Sequence, residues 1–213
     1  MNITLPTCKT ISQPFAIIVI VFLWLIYASI QTLSVTGDLP PSWSLILSFL
    51  PGILGVMVLR AAGWKRAGLY LRPAPLSRQG FFALAAVFVL ALAAIIPFGQ
   101  WEGWNWKVTL LEAPASGISQ ELFFRASLLP AFLVALKASP KLALALHSLF
   151  FALWHIGPLF VGAPLWAVLA VMFVPFLSGL GWGWQVQRDG TVFWAMLQHS
   201  LIWVIAGQFP IPA

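Results

Sequence analysis

The sequence predicts an all-α protein, a polytopic bundle of seven, or at most eight, transmembrane helices. Three observations predict it. Of the 213 residues 61% are hydrophobic and only 8% are charged, whereas a soluble domain carries about 25% charged residues. Apolar runs recur at lengths close to the roughly 20 residues that cross a hydrocarbon core. The basic residues fall in the short links between those runs, where membrane orientation places them. The formal charge of +6 therefore reflects topology. It does not form a stripe or groove suited to nucleic acid. The single cysteine, Cys8, excludes an intramolecular disulfide and a multi-cysteine zinc site.

In chain order, the first span covers Phe15–Val35, and its apolar run is longer than a signal-peptide core, so it reads as a retained anchor. The second covers Ser44–Ala62 and the third Phe81–Phe98. The fourth, Ser116–Leu136, is unusual in holding Gln120, Glu121 and Arg125. The fifth, Pro140–Ile156, carries His147 and His155. The sixth, Pro164–Val186, is glycine-rich near its end, and the seventh, Val192–Gln208, carries His199. The whole chain, 1–213, reads as one membrane domain without internal repeats. Trp101, Trp104 and Trp106 in the third link read as an interfacial aromatic belt.

With the N-terminus inside, the cytoplasmic segments hold Lys9, Arg60, Lys65, Arg66, Arg72, Arg78, Lys137, Lys141 and Arg188, and the outer segments hold only Lys107. That asymmetry predicts N-terminus inside and C-terminus outside.

Ionisable residues within spans are costly and mark function. Glu121 and Arg125, four apart on a helix, share a face and can pair. His147 and His155 are separated by about 12 Å along a helix, too far to ligate one metal together. His147 reads as a buried histidine bonded to a neighbour. With no His-Glu-x-x-His motif, a non-metal reading is simpler, and neither metal nor cofactor is expected. A carboxylate can act as general base on water with a histidine to orient it, while donors from another helix stabilise the oxyanion. Glu121, His155 and His199 supply that set from three spans. Glu121 and His155 fall at similar depth in the outer half, with His199 nearer mid-membrane. One intramembrane acid and no paired broken helices argue against a transporter.

The segments Gln120-Glu121-Leu122-Phe123-Phe124-Arg125, Phe151-Ala152-Leu153-Trp154-His155 and His199-Ser200-Leu201-Ile202-Trp203 resemble the three motifs of the CPBP intramembrane proteases. That family contains the type II CAAX prenyl endopeptidases and the bacteriocin-processing proteins. Its motifs are Glu-Glu-x-x-x-Arg, Phe-x-x-x-His and His-x-x-x-Asn or Asp. Phe124–Pro130 and Gly190–Trp194 are similar to the flanks of its first and third motifs. The resemblance covers about 113–210 as a catalytic core, preceded by three helices in 15–98. It implies a glutamate-dependent endopeptidase cutting near the C-terminus of a membrane-associated or exported protein. Glu121 and His155 would activate water, His199 would lie in the oxyanion site, and Gln120, Arg125, Phe151 and Trp203 would support them. The implied partners are a membrane-associated protein or peptide substrate and the bilayer, with no nucleic acid. Outward-facing chemistry fits a bacterial inner-membrane protein acting on exported substrates better than one acting on cytosolic prenylated tails. Two positions depart from the pattern. Gln120 replaces the first Glu and cannot accept a proton at neutral pH. Trp203 replaces Asn, and its indole donates but does not accept. The alternative is a catalytically degenerate relative that binds a membrane segment as a partner or immunity protein.

Overall fold

The computed structural model describes residues 11–97, 99–137 and 139–209. Cys8, Lys9, the predicted end of the third span at Phe98, and Pro210 lie outside them. The described residues form an all-α polytopic bundle without strands, apart from one isolated bridge between Leu71 and Thr191.

Local chemistry sets the helix ends. Helix α1 (Gln13–Thr36) begins at Ser12, whose hydroxyl accepts from the Phe15 N–H, and stops at Gly37 in the left-handed region at φ 82°. Helix α2 (Pro41–Ala61) starts on a proline, where the missing N–H costs nothing. Helix α3 (Arg78–Ile95) is capped by Ser77, which accepts from Gly80 N–H at 2.9 Å. Helix α4 is the long span Val108–Ala135. Helix α5 (Pro140–Leu153) passes into a 3₁₀ segment, Trp154–Val161, so His155 lies beyond the α-helical part. Helices α6 (Leu165–Asp189) and α7 (Phe193–Ala206) are joined through Gly190 at φ 72°.

Six of these helices are long and apolar enough to cross a membrane. The seventh predicted span is present as α7, but its 14 residues rise only about 21 Å, short of a ~30 Å core. The fourth span also differs from its predicted limits, starting at Val108 and not Ser116. Pro114 and Glu112 make that stretch read as a link. The helix tolerates them because Val108–Glu112 is a π turn, with Ala113 N–H bonding Val108 O five residues back. A second π turn, Phe124–Leu128, stands before Pro130, with Leu129 N–H bonding Phe124 O. A proline ring clashes with the carbonyl four residues earlier. A π turn redirects that carbonyl's partner by one residue, so both prolines follow a local widening and the helix continues.

Helix α4 occupies the centre. In its most apolar window 72% of residues are buried, against 22% in α1, α2, α3 and α6. It packs between α7 and α2. Close approach is possible because small residues lie at both contacts. A Cβ on Gly117 would stand 2.7 Å from Ser200 N, and one on Gly52 2.9 Å from Leu122 Cβ. Polar pins bind the outer helices to this centre. The Trp24 and Trp154 indoles donate to Phe150 O and Tyr27 O, tying α1 to the α5 segment. The Trp182 indole donates to Gln198, whose amide donates to Leu84 O, tying α6, α7 and α3.

At the end of the bundle rich in Arg and Lys, the α2–α3 link meets the α6–α7 turn. Val192 N–H bonds Tyr70 O at 3.0 Å. Tyr70 holds a left-handed φ of 57°, and burial pushes its phenol up to about 12.

Candidate active site

Glu121 sits on α4 three residues before the second π turn, and Arg125 sits within that turn. Both are fully buried, with relative exposure of 0%. Two buried charges require each other, since an unpaired one carries a large desolvation cost. Arg125 Nη1 lies 3.1 Å from Glu121 Oε1. None of its N–H groups makes an aligned hydrogen bond. The guanidinium instead lies among aromatic rings, 4.2 Å from the Phe151 centroid and 5.1 Å from Trp182, where ring quadrupoles favour a cation.

His199, from α7, completes the cluster. Its Nδ1 is 2.8 Å from Glu121 Oε1, and the Trp203 indole donates to its Nε2 at 3.1 Å. An indole N–H can only donate, so Nε2 accepts and the ring proton belongs on Nδ1, donated to the carboxylate. Both His199 nitrogens are therefore committed. Trp182 stacks on the ring at 4.5 Å and 26°. Glu121 Oε2 has no partner. The carboxylate thus has one oxygen held by a histidine and an arginine and the other free.

His155 is close but not joined. Its Nδ1 donates to Phe151 O at 2.9 Å, which leaves the Nε2 lone pair free on a partly exposed ring. Phe151 stands between the histidines, its centroid 5.1 Å from His155 and 6.1 Å from His199. His147 is fully buried beside the Leu144 backbone one turn earlier, and helix α6 covers it, with Gly183 against its ring.

Gln120 faces another way. One helix step turns it about 100° from Glu121, onto the wall of a cavity of about 300 Å3. Its amide donates to Ser116 Oγ at 2.7 Å, and its Oε1 is unbonded although the residue is 2% exposed. Trp203 and Trp154 also line this cavity, whereas Glu121, His155 and His199 do not. Among the described residues no group of three or more His, Cys, Asp or Glu is arranged to hold a metal ion.

A family model described as type II CAAX prenyl endopeptidase Rce1-like matches residues 101–205, about half of the chain. Through these residues the chain belongs to the CPBP family. No curated protein and no solved structure matches. The CPBP match begins before α4 and ends within α7, so it contains all three motif segments. It leaves out α1, α2 and α3.

Two features of the CPBP-like centre were missed in the sequence. Trp182 both stacks on His199 and flanks Arg125, yet in sequence it is one tryptophan among 12; its place between Gly179 and Gly183, where α6 comes close to α5, was the available sign. The hydroxyls of Ser116 and Ser119, one helical turn apart on α4, line the cavity beside Gln120. Their i, i+3 spacing on a span is the sign of them in the sequence.

Proposed function

We propose that this CPBP-family membrane protein is an intramembrane endopeptidase with Glu121 as general base, residues 113–210 as its catalytic core and 15–98 as three preceding helices. The observation that carries this reading is the divided carboxylate: Oε1 held by His199 and Arg125, Oε2 unbonded. The held oxygen fixes the group, and the free one can take a proton from water. The His155 Nε2 lone pair can accept the second water hydrogen. As the water oxygen bonds the scissile carbonyl carbon, the carbonyl electron pair moves onto its oxygen. Trp203 N–H, held in the resting state by His199 Nε2, is the donor at hand for that oxyanion. Collapse then breaks the C–N bond, and the proton on Glu121 passes to the leaving amine. The substrate is a membrane-associated or exported protein.

The orientation belongs to the same proposal. The cavity is lined at the ends where α1 meets α2, α4 begins and α7 finishes. By chain topology Arg60, Lys65, Arg66, Arg72, Arg78, Lys137, Lys141 and Arg188 lie at the opposite end. The excess of basic residues there supports a cytoplasmic placement for that end, with the site toward the outer half of a bacterial inner membrane. Labelling of Gly157→Cys from the cytoplasm alone would overturn that orientation.

A second reading is favoured by Gln120. The residue that faces the cavity is a neutral amide, while Glu121 is closed off by its partners. This supports a relative that binds a membrane segment without cutting it. One assay separates the two. Purified protein is incubated with a membrane-anchored peptide as wild type, Glu121→Gln, His155→Ala and Gln120→Glu. Endopeptidase chemistry predicts wild-type cleavage that falls at least 100-fold in the first two variants. Binding without cleavage predicts no wild-type activity, with activity appearing only in Gln120→Glu.

A further inference from the structure

The walls of the cavity are polar without being charged. Tyr27, Gln31, Ser44 and Ser48 come from α1 and α2, and Ser119 and Gln120 from α4. Among the described residues no Lys, Arg or His lines it, and the one ionic group in its lining is Glu112, which is engaged at 2.6 Å by the exposed Lys107. The hydroxyls are linked to one another. Tyr27 donates to Ser119 Oγ at 3.4 Å, Ser119 donates to Ser116 O, and Ser48, 3.4 Å from Ser119 Oγ, donates its own proton to Leu45 O at 2.7 Å. Gln120 Oε1 remains an unsatisfied acceptor in this wall although almost wholly buried. A buried acceptor without a partner calls for a donor from a ligand or water. The volume of about 300 Å3 holds on the order of ten waters, which is room for a short stretch of extended chain.

We propose that this cavity binds an internal, uncharged stretch of polypeptide through its main-chain amides, and that it disfavours a chain terminus bearing a free carboxylate. A peptide N–H satisfies Gln120 Oε1, and peptide carbonyls accept from the Ser44 and Ser116 hydroxyls, whose protons are not donated within the wall. A terminal carboxylate would enter without a cationic partner and beside Glu112, so its desolvation would go uncompensated. The same reasoning disfavours a phospholipid headgroup, whose phosphate also lacks a cation. This inference rests on the reading of the chain as a binder of membrane-associated polypeptide. It goes beyond that reading by assigning the substrate's charge, and by giving α1 and α2, outside the family match, a share in recognising it.

The test reads capture, not cleavage. Full-length protein in neutral-lipid nanodiscs is given an anchored peptide whose Ala/Ser/Gly tail carries a photo-crosslinking residue. The tail is made in three forms: continuing for ten further neutral residues, ending in a carboxamide, or ending in a free carboxylate. The expected result is similar crosslinking of the first two forms and at least tenfold less of the third. Ser44→Arg should restore the third form, and Ser48→Leu should lower capture of the first two. Equal or better capture of the carboxylate form, or no capture of any form, would overturn the proposal. Capture without cleavage leaves it standing and removes hydrolysis; cleavage indifferent to tail charge removes it and leaves hydrolysis.

Discussion

Helix α4 and the helices around it are solvated in opposite ways. In α1, Ile18 and Phe22 are exposed to what is lipid in the membrane, and in α2 so are Ile46 and Met57. These helices work by being apolar nearly all round. Helix α4 buries Gln120, Glu121, Arg125 and Ser127 and breaks its α-helical pattern twice with π turns. The contrast shows how a bilayer protein carries polar chemistry. The buried ion pair is placed on the helix most shielded by the others, and neighbouring side chains replace water. The lipid-facing sides of the outer helices can then vary in detail as long as they stay apolar, whereas α4 depends on particular partners.

The sharpest way to break this comparison is to unpair the buried charges. Arg125→Met leaves the buried Glu121 carboxylate without its cationic partner. It should cost about 3–5 kcal/mol in unfolding measured in detergent, while Glu121→Gln with Arg125→Met together should cost less than the single change. A smaller loss is expected where α4 meets α7. Gly117→Val drives a side chain toward the Ser200 backbone and should cost about 1–3 kcal/mol by the same measurement. Ile18→Ala on the lipid-facing side should shift stability by less than about 0.5 kcal/mol. Equal effects at the two positions would show that α4 is not the tighter environment.

Between these two lies the bond from Trp203. Trp203→Phe keeps the ring and removes the donor to His199 Nε2, at about 0.5–1.5 kcal/mol. Nitrogen NMR of labelled histidine should then show His199 keeping its Nδ1–H, which the Glu121 carboxylate holds, while its Nε2 resonance shifts as the indole bond is lost; an unchanged Nε2 resonance would mean that Trp203 does not engage it. At neutral pH the least effect is at the basic end. Tyr70 should titrate near pH 12, above the usual value of 10. The folded form holds its proton longer than the unfolded one, so this contribution to stability is full below pH 10 and is lost as pH rises through about 12. Phenolate absorbance, compared with Tyr70→Phe, would report it.

Much of the site could be read in the sequence because intramembrane charge is rare. Glu121, Arg125 and His199 stood out against apolar spans, and the structure brings those three into contact. His155 was equally visible, but whether it touches Glu121 depends on where the chain leaves α5. The 3₁₀ segment after Leu153 decides that, and it leaves Phe151 between the two histidines. The fourth span's true start was hidden by Pro114, since a proline reads as a break unless a π turn is known to precede it.

The sequence alone determined the solvent, the helix count and the three motif segments, because hydropathy and i, i+4 spacing act within one stretch of chain. Only the tertiary structure decided which way each polar side chain turns. A 100° step separates Gln120 on the cavity wall from Glu121 in the closed ion pair, and that outcome depends on what α1, α2 and α7 bring to either side. It also decided that both nitrogens of His199 are already bonded. The donor that engages Nε2 comes from the next turn of α7, and the acceptor at Nδ1 comes from a residue 78 positions earlier.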